Sequence, residues 1–276
     1  MNLALSVWGK NGSGKSTTAV NLACAYAKRG IETALVGANR FYGSIQHFLN
    51  MEIKPEQSLR TVLSGGDSLS IKEFFLECPS VKNLRVASLA DADDCAGYGK
   101  LRTDTVERFI SLVKNCYTVV VFDCDDSIED PFSMYCLVMS EKIIYVTRPA
   151  LQSVVFAKAY EPIVSGLQIT DKLITVLIGD DGALGYGPDG AGAYAPFTAG
   201  RYGSYVQFTA GRYGSYFPYK AGGKYLTLPY CKEIARARGA SSPVVLSHGV
   251  DRNTARYRKS VYTLADMLLP EKPGSE

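Results

Sequence analysis

Short apolar runs alternate along the chain with stretches of helical periodicity. "YTVVVFD" and "KIIYVTRP" are continuous β-branched and aromatic runs, the composition of strands covered on both faces. Strands are predicted near Leu3–Trp8, Thr33–Val36, Leu84–Ser88, Thr118–Phe122, Lys142–Val146 and Leu173–Ile178. Helices are predicted over Ser16–Arg29, stopped by Gly30, and over Leu101–Lys114 and Leu151–Val164. Strands that alternate with helices imply βαβ units, and so an α/β fold with a doubly wound, mostly parallel sheet flanked by helices.

The alternation breaks over residues 179–224, where the sequence turns rich in Gly, Ala and Tyr. "FTAGRYGSY" occurs twice, at Phe197–Tyr205 and Phe208–Tyr216, with a period of 11 residues, and the Ala-Gly pair returns in register at Ala221–Gly222. Helical periodicity is absent and glycine is frequent, so hairpins or an extended ribbon are expected. Two readings stand: a flexible insertion, or a β-type arm whose tyrosines and arginines bind a protein partner or another copy of the chain. Beyond it, "YLTLPY" predicts a strand and Asp251–Leu269 a helix, which resume the α/β pattern. Residues 1–276 are therefore expected to form a single domain, with 179–224 inserted within it.

Composition changes this picture little. The 276-residue chain is 46% hydrophobic and 21% charged, with a net charge of +3 that demands no nucleic-acid partner by itself. Seven scattered cysteines without a CxxC pair suit reduced thiols in a cytoplasmic protein. No signal pattern opens the sequence, and no apolar run reaches the length of a membrane span.

The chemistry concentrates at "GKNGSGKST". Gly9, Gly14, Lys15 and Ser16 satisfy the G-x4-G-K-[ST] pattern, and they follow a predicted strand and open a predicted helix. Glycines let backbone N–H groups wrap phosphates, a lysine reaches the terminal phosphates, and a hydroxyl takes Mg²⁺. Residues Gly9 to Thr17 (Gly9, Lys10, Asn11, Gly12, Ser13, Gly14, Lys15, Ser16, Thr17) form the candidate nucleotide cradle. Asp123, at the tip of the strand "VVVFD", is the candidate second holder of Mg²⁺ opposite Ser16. A strand-end aspartate capping a turn is the alternative.

Lys10, five residues before Lys15, remains to be explained. "KNGSGKS" resembles the deviant Walker A motif of the MinD/ParA family of P-loop ATPases, K-G-G-x-G-K-[ST], with Asn11 in place of the first glycine. "LVGANRFYGSI" is similar to that family's switch I region, "VVVFDCDDS" to its Walker B and switch II, and "TLPYCKEIARARGASSPVV" to its late segment. The resemblance covers nearly the whole chain apart from the insertion. It implies a P-loop NTPase fold, a homodimer formed on ATP binding, and a role for Lys10 across the interface at the partner's nucleotide. The family commonly carries Asp-x-Asp at the end of its second strand, where this chain has Gly37 and Asn39. An amide hydrogen-bonds water but cannot accept its proton, so slow or weak hydrolysis is expected. Asp125 and Asp126 occupy a turn where the family often has prolines; they are candidates for water positioning or solvated turn acids. The resemblance thus implies an ATP-dependent switch that positions or assembles a cargo, either DNA in partition or pilus or secretion machinery as in CpaE/TadZ-like relatives. The alternative is an assembly protein that keeps nucleotide as a fixed ligand and polymerises through the insertion.

Three further features of the sequence bear on ligands and partners. "DCAGYG" around Cys95 resembles the cluster loop of the nitrogenase iron protein, but Cys124 is not placed to be the second ligand, so no iron–sulfur cluster is expected. His47 and His248, the two histidines, stand far apart and predict no metal site. Cys231–Tyr262 carries +5 in 32 residues, and Arg252, Arg256, Arg258 and Lys259 are either a solvated helix face or a patch for DNA phosphates. The tail "LLPEKPGSE" lacks a basic amphipathic helix, so direct membrane insertion is not expected.

Overall fold

The computed structural model describes residues 2–39, 41–64, 71–93, 102–148, 150–179, 225–229, 231, 243–246 and 252–270. Among the described residues, eight strands form one sheet: β1 (Leu3–Trp8), β2 (Thr33–Ala38), β3 (Leu76–Glu77), β4 (Leu84–Ala87), β5 (Val119–Cys124), β6 (Lys142–Thr147), β7 (Leu173–Gly179) and β8 (Tyr225–Pro229). Their spatial order is β3-β4-β2-β5-β1-β6-β7-β8, parallel throughout except for the antiparallel β3–β4 edge pair. Gly179, given to the insertion, instead ends β7; residues 180–224 lie outside the described residues, as do Arg40, Cys95, Lys232, Arg236, Arg238 and His248.

Helix α1 (Lys15–Lys28) links β1 to β2, while α5 (Thr103–Cys116), α6 (Pro131–Met139) and α7 (Leu151–Gly166) lead into β5, β6 and β7. Short helices α2 (Ile45–Phe48), α3 (Leu59–Leu63) and α4 (Ile71–Phe74) lie between β2 and β3, and α8 (Arg252–Leu268) follows β8. The α1 crossover steps toward one sheet edge and the α5, α6 and α7 crossovers toward the other. Right-handed connections therefore place them on opposite faces.

The strands supply both faces by alternation. Leu3, Leu5 and Val7 join Val119 and Val121 in the core shared with α1 and α8, whereas Ala4, Trp8, Val120 and Phe122 face the core shared with α5 and α6. Ser6, the polar residue of β1, is buried, and its hydroxyl donates to the Cys136 carbonyl at 2.8 Å. Helix α5 buries Val106, Phe109, Ile110 and Val113, an i, i+3, i+4, i+7 stripe. Helix α1 is buried almost all round because α8 covers its outer side; Tyr26 there donates to the Ala265 carbonyl at 2.9 Å.

The predicted strands all form, β1 with the predicted bounds and the others with ends displaced by at most two residues. Helix α5 begins at Thr103 and runs to Cys116 rather than spanning Leu101–Lys114. The predicted elements include neither the short helices α2, α3 and α4 nor helix α6 nor strand β3. Helix α6 has a plain start signal: Asp130 accepts from the Ser133 N–H at 3.0 Å as N-cap, and Pro131 follows at the first helical position. No helix among the described residues is long and apolar enough to cross a membrane.

Candidate functional site

Strand β1 is the hub: it pairs with β5 on one side and β6 on the other, and its C-terminal end runs directly into Gly9. A Cβ at Gly9 would lie 2.1 Å from the Val146 carbonyl oxygen of β6, so only glycine lets the chain turn so close to its neighbour. Gly14, with φ +105°, is the last residue before α1, and a Cβ there would meet the Ile178 side chain at 2.6 Å. Between them the loop closes on itself through the Ser13 N–H to the Lys10 carbonyl at 3.0 Å. Helix α1 thus points its unsatisfied N-terminal amides at the loop, the arrangement that attracts phosphate.

Lys15 is buried at 8% exposure, an expensive position for an ammonium without an anion to face. Its charge acts on Asp123 and Asp125. Asp123 sits at the end of β5, level with Gly37 of β2, and is buried. Desolvation is the main cause that pushes its carboxyl up to about 6; a hydrogen bond from Ser16 and the charge of Lys15 oppose this, and Asp125 adds to it. Its Oδ1 is buried without a hydrogen-bond partner. A buried carboxylate with one idle oxygen, tied to the hydroxyl that opens α1, fits a Mg²⁺ ion carried in with a nucleotide.

Lys10 lies on the solvent side of the loop, partly exposed, with its ammonium 3.5 Å from the Asn11 carbonyl. Asn39 is engaged: its Oδ1 accepts the Phe41 N–H at 2.8 Å and the Tyr42 N–H at 3.4 Å, closing an Asx turn after β2. Its carbonyl oxygen is therefore taken by its own loop. Asp125 is similarly committed. Its Oδ1 accepts the Asp126 N–H at 2.7 Å, and its N–H donates to Ser133 Oγ at 2.9 Å. Ser133 in turn donates to the Ala38 carbonyl at 3.1 Å, which joins the turn after β5 to the end of β2.

Two contacts were not anticipated. Asp126 accepts the Asn11 N–H at 3.2 Å, and Arg148, just beyond β6, donates through Nε to the Ser13 carbonyl at 3.2 Å. The motif gives no hint of either residue, because each reaches the loop from a neighbouring strand.

Of the basic candidates on α8, Arg252, Arg256 and Lys259 are exposed at i, i+4, i+7 and share one face, while Arg258 is half-buried. His47 lies 3.1 Å from Asp91, and among the described residues no three His, Cys, Asp or Glu side chains gather into a metal-holding group.

No family model matches the chain. Over 177 residues it is 24% identical to the septum site-determining protein MinD of Thermotoga maritima, an alignment covering 64% of this chain and 63% of that protein, less than two thirds of its length. The Mg-ADP complex of septum site-determining protein MinD from Pyrococcus horikoshii superposes with a TM-score of 0.66 at 17% identity, covering 97% of this chain and 96% of the other. A ParA family ATPase from Chlorobium tepidum superposes with a TM-score of 0.69 at 16% identity, covering 96% and 97%. In fold, this chain is like the MinD and ParA ATPases on which it superposes.

Proposed function

We propose that the chain binds Mg·ATP at Gly9–Thr17, pairs with a second copy in the ATP-bound state, and acts as a slow switch that positions or assembles a cargo. The carrying observation is the pairing of a closed glycine loop at the start of α1 with a buried, half-unsatisfied Asp123 beside Ser16. In this reading the loop amides and Lys15 hold the phosphates, and Ser16 and Asp123 hold Mg²⁺, which neutralises phosphate charge when bound. Lys10, on the exposed rim, reaches the nucleotide of the facing copy. A cellular role in division or partition follows the names of the similar proteins and belongs to this proposal.

Slow hydrolysis is supported by Asn39 and Asp125. The first is an amide with its oxygen spent on the turn, and the second has a carboxylate oxygen spent on Asp126. A general base needs an acceptor within reach of the attacking water. The same observation supports the second reading, an assembly protein that retains nucleotide and polymerises through residues 179–224. Contact of Arg252, Arg256, Arg258 and Lys259 with DNA phosphates is a further part of the proposal.

Equilibrium binding of ATP with and without Mg²⁺, followed by light scattering for a dimer, tests the function. Mg²⁺-dependent binding and an ATP-dependent doubling of mass are expected. A chain that binds ATP but stays monomeric contradicts the switch, and retention of unhydrolysed ATP in a polymer favours the second reading.

A further inference from the structure

The phosphate loop is gripped from both sides. It emerges between β5 and β6, and just beyond each flanking strand a residue reaches back onto the loop backbone. From β5 comes Asp126, whose carboxylate accepts the Asn11 N–H at 3.2 Å and whose own carbonyl accepts the indole N–H of buried Trp8 at 3.2 Å. From β6 comes Arg148, whose Nε donates to the Ser13 carbonyl at 3.2 Å.

These contacts have consequences for a phosphate. A trans peptide unit is planar, with its C=O and N–H pointing in opposite directions. The Ser13 carbonyl, held by Arg148, therefore fixes the Gly14 N–H on the opposite side of that peptide, in the residue that precedes α1, whose N-terminus favours anions. Arg148 also brings a fixed positive charge to the loop. Asp126 does the reverse. It takes the Asn11 N–H for a carboxylate and sets a negative charge beside the loop, next to Asp125. Like charge at this range costs a bound polyphosphate affinity.

We propose that Arg148 and Asp126 are opposed positioning residues of the phosphate loop, Arg148 raising affinity for a nucleoside triphosphate by aiming the Gly14 amide and Asp126 lowering it. The inference rests on the nucleotide-binding reading above. It assigns this chain a built-in counterweight, so that nucleotide is held less tightly than the loop alone would hold it.

Calorimetric titration of the full chain with a non-hydrolysable Mg·ATP analogue tests it, with the fluorescence of Trp8, the chain's only tryptophan, as second readout. Arg148→Ala is expected to weaken binding about tenfold or more, the range of a hydrogen bond to a charged group. Arg148→Lys, which keeps charge and donor, recovers most of that loss. Asp126→Asn keeps an acceptor for Asn11 but removes the charge, and tightens binding by about 2–5-fold. Melting of all three variants without nucleotide stays near wild type, which a merely structural role would not allow. Should Arg148→Ala fold poorly, Arg148→Met, which keeps the bulk of the stem without the donor or the charge, and Asp126→Asn still decide by their opposite shifts. Arg148→Ala binding like wild type, or Asp126→Asn binding more weakly, overturns the inference alone. A wild-type chain that binds no Mg·nucleotide overturns the proposed function together with it.

Discussion

The ends of β5 and β2 lie side by side, Asp123 level with Gly37, yet they are built to opposite purposes. At the end of β5 a carboxylate is buried, raised toward protonation by desolvation and left with an idle oxygen. Two residues past Gly37, Asn39 spends its oxygen on its own Asx turn and lies partly exposed. One strand end stores unsatisfied charge; the other has satisfied its polar group locally. Unsatisfied buried charge is costly and persists where a ligand repays it, whereas a satisfied turn costs nothing and demands nothing. On the proposed reading, the contrast suits a site that holds Mg·nucleotide more than it consumes it.

The largest expected effect comes from removing the stored charge. The Asp123 carboxyl titrates near 6 in the folded protein, above its ordinary 3.8. The folded chain therefore holds a proton between those pH values that the unfolded chain has released. Its stability falls as pH rises through this window and levels off above about pH 6. At about 1.4 kcal/mol per unit the loss approaches about 3 kcal/mol by neutral pH. Asp123→Asn should abolish this fall and raise the nucleotide-free melting temperature at pH 7, while losing the Mg²⁺ dependence of ATP binding. Melting curves from pH 4 to 7.5 check the first effect, and titrations with and without Mg²⁺ check the second.

Placing a charge at the other strand end should do the reverse. Asn39→Asp is expected to speed ATP hydrolysis by about 10–10²-fold, the lower part of the range for a positioned general base, because the carboxylate must share itself with the Phe41 and Tyr42 amides. Phosphate release under single-turnover conditions measures it. No acceleration would leave Asp125, despite its bond to the Asp126 amide, as the better water-positioning candidate.

Much of the fold could be deduced from the chain because its central strands are continuous apolar runs and α1 opens on a glycine loop. Helix α6 escaped notice because "PFSMYCLVM" is apolar on nearly every side, so its periodicity is weak; the Asp130-Pro131 start was the available signal. The site divides similarly. Gly9, Gly14, Lys15, Ser16 and Asp123 follow from a local pattern and its strand context. Asp126 and Arg148 reach the loop from more than a hundred residues away, contacts that only the sheet order creates. The state of Asn39 was also hidden, since the sequence names an amide but does not say where its oxygen is bonded.

A smaller effect is expected at the rim. Lys10→Ala should leave ATP affinity near wild type, because Lys15 and the loop amides remain, and should weaken ATP-dependent dimerisation by about tenfold, as for a lost charge-assisted contact. Sedimentation with and without ATP measures this, and unimpaired dimerisation would remove Lys10 from the interface. Smallest is the α8 face. If Arg252, Arg256 and Lys259 contact DNA phosphates, each substitution by Ala should lower the log–log salt slope of DNA binding by about one unit. A slope that ignores them would return that face to solvent.

The central claim is that this site holds Mg·ATP and turns it over slowly, and the fate of the bound nucleotide tests it most directly. Wild-type chain and Asn39→Asp are loaded with Mg·ATP, freed of excess nucleotide, and assayed over time for bound ATP and ADP. The account predicts that wild type binds only with Mg²⁺ and still carries mainly ATP after the Asn39→Asp variant has converted its ATP to ADP. Conversion by wild type as fast as by the variant, or binding indifferent to Mg²⁺, would contradict it.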